Sequence, residues 1–503
     1  MESIANERAA EDHTVRQRAT LILWGVAIVL LPFFQFPYLF KKLSLYPLIG
    51  ILLLNIDRWW NLFRDNRFLR WTALALAAFF LWQFASLPLA MNISEISLAK
   101  NIRPIIGEIV TYGAWYVLMA ACFFFSREKI GKVFYWSLTI ILGYCSLYCV
   151  IELLHLHHVK LATDFLSKSI YYFMADIGKT NGWWPPVFFG TRLRSVFAEP
   201  SFFAVLLVFS ILYFGFCAWQ EEEWKKILRN ILLMLLAAAL CFGAKSGSAN
   251  VTLGAATLFF LLLLAIFFRK FSPEQKIKGG MLALLLVLLS ALLVINPRGR
   301  VNDTRRANSG QLAGEQLLAT QSGSTESRMI HLRNDTRRAN SGQLAGEQLL
   351  ATQSDSTGGR MIHLKSELQL IAQKPLIGVG EGNHADAMRE ALLKNPQKTG
   401  ETRLWSENLD GKVPVLNKYT GIAVQNGLIG LLLFLAVFGA SAIACVKSRK
   451  TMAPERWIAS LVLCGSIALI LCSVSCCILY HLGLLTAVFY GFIREAVPGS
   501  EEK

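Results

Sequence analysis

Runs of about 20 apolar residues recur along the whole chain, and they limit what the chain can fold into. This is the length that an α-helix needs to cross the hydrocarbon core of a bilayer. Globular proteins carry about 25% charged residues, whereas this chain of 503 residues is 17% charged and 54% hydrophobic. The sequence therefore predicts an all-α polytopic integral membrane protein and excludes a soluble globular domain.

The apolar runs define about twelve candidate transmembrane helices. They cover residues 21–40, 43–56, 71–90, 105–125, 133–154, 197–219, 230–243, 250–268, 280–296, 421–446, 457–475 and 477–493. They predict an N-terminal bundle of nine spans (1–296), a large loop between helices 9 and 10 (297–420) and a C-terminal group of helices (421–503). A second long loop, 155–196, lies within the bundle.

The distribution of positive charge predicts the orientation. With the N-terminus in the cytoplasm, connections such as "SREKIGK" and "KSRKTMAPER" lie on the cytoplasmic side, where Lys and Arg accumulate in short loops. Both long loops then face the periplasm. Loop 297–420 carries 17 Lys and Arg against 13 Asp and Glu. A basic surface there suits an anionic ligand at the membrane face, and attraction to anionic lipid headgroups is the alternative. Nothing in the sequence indicates a nucleic-acid partner.

The large loop contains a tandem duplication of 32 residues. Residues 302–333 and 334–365 are identical at 28 of 32 positions. The unit is polar, and solenoid repeats need at least three copies to bury a shared core, so we interpret it as a duplication in a loop that tolerates insertion. Its two copies end in "SRMIHL" and "GRMIHL" and thus present two equivalent arginines, Arg328 and Arg360.

Three motifs follow one another in a fixed order. The first is "RLRSVFAEPSFFA", in which Arg192 precedes a Glu-Pro-Ser step into an apolar run. The second begins at Arg360, continues through an amphipathic segment and ends in "PLIGVGEGN". The third is "LNKYTGIAVQNGLIGLLLFL", which starts at Leu416. Together with the layout of spans and loops, these motifs resemble the bacterial O-antigen polymerases and O-antigen ligases.

Two departures from the family pattern bear on the choice between the branches. Family members often have His-Asn at the start of the third motif and a Glu before its glycine, whereas this chain has Leu416 and Gln425. The missing histidine argues against the ligase branch, and Glu199-Pro-Ser favours the polymerase branch. Outside both branches, the chain could be a flippase or transporter of lipid-linked glycans, or an assembly partner without catalysis. A flippase typically has paired repeats or charges near the midplane, which the sequence does not show.

The resemblance implies a glycosyltransferase of the inner membrane with a periplasmic active face and no cofactor. Its substrate would be an oligosaccharide on undecaprenyl diphosphate. Membrane lipids, a chain-length regulator and other polysaccharide assembly proteins would be its partners. We predict no metal site, because "HLHH" (155–158) has poor spacing for a tetrahedral site and "CSVSCC" (472–477) has no interleaved His or carboxylate. Cations would stabilise the leaving diphosphate instead, and an arginine can donate two parallel hydrogen bonds to two phosphate oxygens.

The motifs supply most of the candidate site residues; Arg328 comes from the first copy of the repeat and Lys245 from the tight turn predicted at "AKSGSA" (244–249). The predicted catalytic residues are two arginine clamps, a carboxylate that either accepts the hydroxyl proton or orients the first arginine, and a second candidate base: Arg192, Arg360, Glu199 and His384. The carboxylate could also form a purely structural pair, and the histidine could simply lie on a loop surface. The predicted substrate-binding residues are Arg194, Lys245, Arg328, Asn417 and Tyr419.

Overall fold

The computed structural model describes residues 2–33, 43–91, 98–173, 192–197, 199–295, 356–395, 399–407, 413, 415–447, 449 and 452–471. Its α-helices, numbered here in chain order, are α1 Glu2–Val29, α2 Leu45–Leu54, α3 Ile56–Asp65, α4 Arg67–Met91, α5 Leu98–Ala121, α6 Arg127–Leu156, α7 Lys160–Phe173, α8 Pro200–Gln220, α9 Trp224–Ala244, α10 Gly247–Phe267, α11 Pro273–Ile295, α12 Ser356–Gln373, α13 His384–Lys394, α14 Gly400–Glu407, α15 Lys418–Lys447 and α16 Pro454–Leu471. Short 3₁₀ turns, Cys122–Phe124, Phe268–Lys270 and Glu381–Asn383, complete the regular structure of these ranges.

The described helices confirm an all-α polytopic membrane protein. Eight of them are long and apolar enough to cross a membrane, and they correspond to the third through tenth predicted spans. The first, second and eleventh predicted spans overlap α1, α2 and α16. The twelfth span, 477–493, lies outside the described residues. The seventh span was predicted too short, because α9 starts at Trp224 and includes the charged turn that precedes the apolar run.

Helix α8 is the central helix of the bundle. Its apolar window is 89% buried inside the protein, whereas the corresponding share for the other seven spans is 28–56%. A helix that is apolar on every face is expected in the interior rather than at the lipid boundary. It packs against α9, α10, α11 and α16. The first sequence motif therefore leads into the centre of the molecule.

Helices α12, α13 and α14 form a small unit of their own, which we call the loop domain (residues 356–407). Its core is apolar and includes Ile362, Met388 and Trp405. Val424 of α15 belongs to the same core, so the loop domain rests directly on a membrane helix. The described residues of the candidate site lie at this end of the bundle, which we call the loop-domain end.

Helix α15 is broken where the loop domain meets it. Gly427 has φ 69° and ψ −177°, which interrupts the helix. The backbone carbonyls of Val424 and Gln425 accept hydrogen bonds from the N–H groups of Val379 and Gly380, each at 2.8 Å. The Pro375 carbonyl accepts the N–H of Leu428 at 2.7 Å. The glycine loop of the second motif (residues 378–382) and the residues just before it thus satisfy backbone groups that a broken membrane helix would leave unpaired.

Candidate functional site

Two of the predicted arginines reach the turn between α9 and α10, which contains the third predicted cation, Lys245. One Arg192 Nη donates to the carbonyl oxygen of Lys245 at 2.8 Å. One Arg360 Nη donates to Ser248 Oγ, at the start of α10, at 3.3 Å. Arg192 is half-buried and Arg360 is exposed. The second copy of the duplicated unit therefore supplies a guanidinium to the same turn that the first motif reaches.

The local backbone explains why this turn can receive Arg192. Lys245 ends α9 in the left-handed region with φ 46°, so the chain reverses within two residues before α10 begins. The N–H of Leu193 donates to the Gly243 carbonyl at 3.0 Å. A Cβ on Gly243 would lie 2.4 Å from Leu193 Cδ1, so a side chain at this position would require Leu193 to shift.

Glu199 occupies the first position before α8. Its backbone is extended and Pro200 follows it at the first helical position, an arrangement that suits proline because its missing N–H would have no helical partner. Its carbonyl accepts the N–H of Phe202 at 3.1 Å, and its carboxylate accepts a hydrogen bond from the Ser201 hydroxyl. A carboxylate at a helix N-terminus is favoured by the helix dipole, so Glu199 is compatible with both roles predicted for it.

Arg194 points into the protein rather than into the turn. It is 3% exposed, and its Nε lies 4.0 Å from Glu152 Oε1 of α6. Arg194 and the following Ser195 also donate their backbone N–H groups to Glu152 Oε2, at 3.2 and 3.0 Å. A buried cation needs such a partner. This environment favours a structural role for Arg194 over the predicted contact with substrate.

His384 is a buried residue of the loop domain, on the side that faces α15. Its Nε2 is 4.0 Å from Glu367 Oε1, and the other Glu367 oxygen accepts the Thr420 hydroxyl at 2.5 Å. Burial, together with the charges of His363 and Lys418, lowers the pKa of His384 to about 3. A base is most effective when its pKa is near the working pH, so these surroundings favour a packing role for His384.

The remaining predicted binding residues have contacts of their own. Asn417 Oδ1 accepts the backbone N–H groups of Tyr419 and Thr420 at 3.0 and 3.4 Å and so caps the N-terminus of α15. The Tyr419 hydroxyl donates to the Ala468 carbonyl of α16 at 3.3 Å. Arg328 lies outside the described residues. No group of His, Cys, Asp and Glu suited to a metal ion occurs within the described ranges.

A second group of charged residues, which was not predicted, joins the loop domain to the bundle. Lys418 Nζ donates to Glu108 Oε1 of α5 at 2.6 Å, and Gln83 Nε2 donates to Glu108 Oε2 at 3.0 Å. Glu381, at the end of the glycine loop, approaches the same pair. Burial and the charge of Glu108 raise the pKa of the Glu381 carboxyl to about 8, against the opposing effect of Lys418.

This raised pKa predicts that the loop domain docks more weakly at alkaline pH. The ordinary pKa is 4.5, so the docked state keeps a proton that an undocked Glu381 loses between about pH 4.5 and pH 8. Stability of the docked state therefore falls as pH rises through this window, by up to about tenfold in the opening equilibrium per pH unit. Hydrogen exchange at the amides of Val379 and Gly380, corrected for intrinsic rate, should increase accordingly. Glu381→Gln should remove this dependence. If the variant and the wild type had the same pH profile, Glu381 would not be the group responsible.

The geometry and the comparisons together define the class of the protein. It is a polytopic helical membrane protein in which Arg192 and Arg360, from separate segments, reach the turn that contains Lys245, at the loop-domain end of the bundle. A family model described as O-antigen ligase matches residues 231–435. The match confirms the resemblance to the O-antigen polymerase and ligase superfamily, whose members are membrane glycosyltransferase-like enzymes. No curated protein matches the chain.

The matched segment contains Lys245, Arg360 and His384 but begins after the first motif. The match therefore gives no support to Arg192 and Glu199 as site residues, and the case for them comes from the motif and from their contacts. Glu108 was missed although a signal existed, because an ionisable residue inside a predicted span is usually functional or paired. Glu381 is part of "PLIGVGEGN" at the end of the second motif, but nothing in the sequence indicated that it lies near Glu108.

Proposed function

We propose that this chain is a polymerase of O-antigen or a related surface polysaccharide. It transfers a glycan from undecaprenyl diphosphate to the acceptor sugar of another lipid-linked repeat unit, at the periplasmic face of the inner membrane. The observation that carries the proposal is the meeting of Arg192, Lys245 and Arg360 at the turn between α9 and α10. A diphosphate at the membrane surface is a ligand that such a set of cations suits, because guanidinium groups bind phosphate oxygens in pairs.

In the proposed reaction, a hydroxyl oxygen of the acceptor attacks the anomeric carbon of the donor glycan. The bond from that carbon to the phosphate oxygen breaks, and the lipid diphosphate leaves with the electron pair. The hydroxyl proton passes to a base, for which Glu199 is the candidate that shares a segment with Arg192. The two arginines stabilise the negative charge that develops on the leaving group, and this contribution is largest where water is excluded.

Polymerase and ligase differ in the acceptor, and two features favour the polymerase. Leu416 stands where ligases often have a histidine, and Glu199 begins a Glu-Pro-Ser step. The description of the matching family model keeps the ligase as the second candidate. The ligase would transfer the finished polymer to lipid A-core by the same displacement at the same cations.

The test is the lipopolysaccharide pattern of a strain that lacks this gene, compared with the strain complemented by the wild-type chain. For a polymerase, the null strain should show core with a single repeat unit, and complementation should restore a ladder. Long polymer on the lipid carrier with bare core in the null strain would instead identify the ligase. Loss of lipid-linked repeat units from the periplasmic leaflet would favour a flippase and overturn both.

The second arginine gives a prediction with a matched control. Arg360→Ala should reduce the ladder by at least about tenfold in polymer yield, because one phosphate contact is lost from a partly exposed position. Lys365→Ala removes a cation from the exposed surface of the same helix and should leave the ladder as in the wild type. Arg328→Ala, in the first copy of the duplicated unit, should also leave it unchanged. Equal loss in all three variants would indicate a general effect of charge and contradict the clamp.

A further inference from the structure

Glu152 of α6 binds the segment that carries Arg192. The residue is 8% exposed, and its Oε2 accepts two successive backbone N–H groups, those of Arg194 at 3.2 Å and Ser195 at 3.0 Å. Successive N–H groups that converge on one anion form a nest, an arrangement known for binding phosphates and carboxylates. Here the anion is a side chain of the protein itself.

The backbone at this point adopts a conformation that an unsupported chain would avoid. Ser195 has φ 55°, in the left-handed region that is uncommon for a residue with a side chain. Its hydroxyl donates to the Cys145 carbonyl of α6 at 3.3 Å. Such strained positions persist only where the surroundings hold them, and they concentrate at functional sites. Both groups that hold Ser195 come from α6.

The position of Arg192 follows from this anchor. Going backwards along the chain, Ser195 and Arg194 are fixed to α6, Leu193 is fixed to the Gly243 carbonyl at 3.0 Å, and Arg192 reaches the Lys245 carbonyl at 2.8 Å. The four residues are therefore held by α6 on one side and by the end of α9 on the other. Without the carboxylate on α6, the left-handed turn would relax and the path to Arg192 would change.

We propose that Glu152 is a positioning residue for the Arg192 phosphate clamp, and this inference rests on the proposed function. Glu152 does not touch the substrate. It fixes the backbone from Leu193 to Ser195 so that the guanidinium of Arg192 is already in place when the lipid diphosphate arrives. Misplacing such a group by about 1 Å can cost a factor of about 100 in rate.

The test needs variants that separate the hydrogen-bond acceptor from the buried charge. Removing Glu152 alone would leave the Arg194 cation buried without its partner, which destabilises a protein strongly. Two double variants avoid this, because replacing both members of a buried pair is often tolerated. Glu152→Gln with Arg194→Met keeps an oxygen that can accept both N–H groups. Glu152→Leu with Arg194→Met removes that oxygen and leaves the N–H groups of residues 194 and 195 without this acceptor.

The measurements are the Kd for undecaprenyl diphosphate, the KM and kcat for a lipid-linked repeat unit, and the unfolding temperature of the purified chain in detergent. The leucine double variant should bind the lipid diphosphate at least about tenfold more weakly than the glutamine double variant, with a raised KM. The leucine double variant leaves two buried N–H groups without this acceptor, so binding and kinetics are measured below the unfolding temperature of the less stable variant. Equal Kd values for the two would overturn the positioning role.

Arg192→Ala in the same binding experiment separates the two levels of the proposal. If this variant binds weakly while the two double variants bind equally, the clamp stands and the role of Glu152 is wrong. If Arg192→Ala binds the lipid diphosphate as the wild type does, the clamp itself is wrong, and the positioning inference is overturned with it.

Discussion

Replacing Arg192 with alanine should abolish the polysaccharide ladder and reduce transfer from a lipid-linked donor by at least about 100-fold. This is the usual effect of removing one donor that stabilises developing charge in a site that excludes water. Arg192 is half-buried, so its interaction with a diphosphate is screened less than that of the exposed Arg360. The loss should appear mainly in kcat/KM.

Arg192→Lys should fail nearly as completely. Lysine retains the charge, but its compact ammonium cannot present two parallel donors to phosphate oxygens. It also cannot bind the Lys245 carbonyl and a phosphate with the geometry of the planar guanidinium. Lys225→Ala, an exposed cation near the other end of α9, is the control and should retain the ladder at equal expression. Full activity of Arg192→Lys would reduce the role of this residue to a simple charge.

Gly427→Ala should detach the loop domain from the bundle. A Cβ at this position would lie 2.0 Å from the Leu376 carbonyl oxygen and 2.5 Å from the backbone nitrogen of Ile377. These are rigid backbone atoms, and the residue has φ 69°, so no rotamer change can relieve the contact. We expect destabilisation of about 3 kcal/mol or more, followed by loss of the backbone pairing that joins the glycine loop to α15.

Gly378→Ala should have a similar effect from the opposite side of the same contact. Its Cβ would lie 2.5 Å from the Val424 carbonyl oxygen, and its φ is 70°. Gly439→Ala is the matched control, because it lies in the same helix as Gly427 and its Cβ would meet no atom within 4 Å. Limited proteolysis of the loop domain and the unfolding temperature in detergent measure the effect. Protease resistance like that of the control would contradict the docking role.

Much of the site was predictable in kind but not in arrangement. The sequence identified Arg192, Lys245 and Arg360 as separate candidates, and the structure brings the two arginines to the turn that contains Lys245. The glycine loop of the second motif binds the broken helix α15, a partner that nothing in the sequence indicated. Arg194 could not be assigned from the sequence, because its surroundings depend on Glu152 of a different helix.

By itself, the sequence determined the class of this protein, the position of eight of its apolar spans and the candidate cations. The reason is that the length and polarity of a transmembrane segment are local properties, since each helix satisfies its own backbone in lipid. The tertiary structure alone decided which helix is central, which guanidinium groups reach the α9–α10 turn and which carboxylate binds the backbone of Arg194 and Ser195. Lateral packing of apolar helices gains little from the hydrophobic effect in lipid, so it depends on close backbone contacts and a few polar pairs between distant segments.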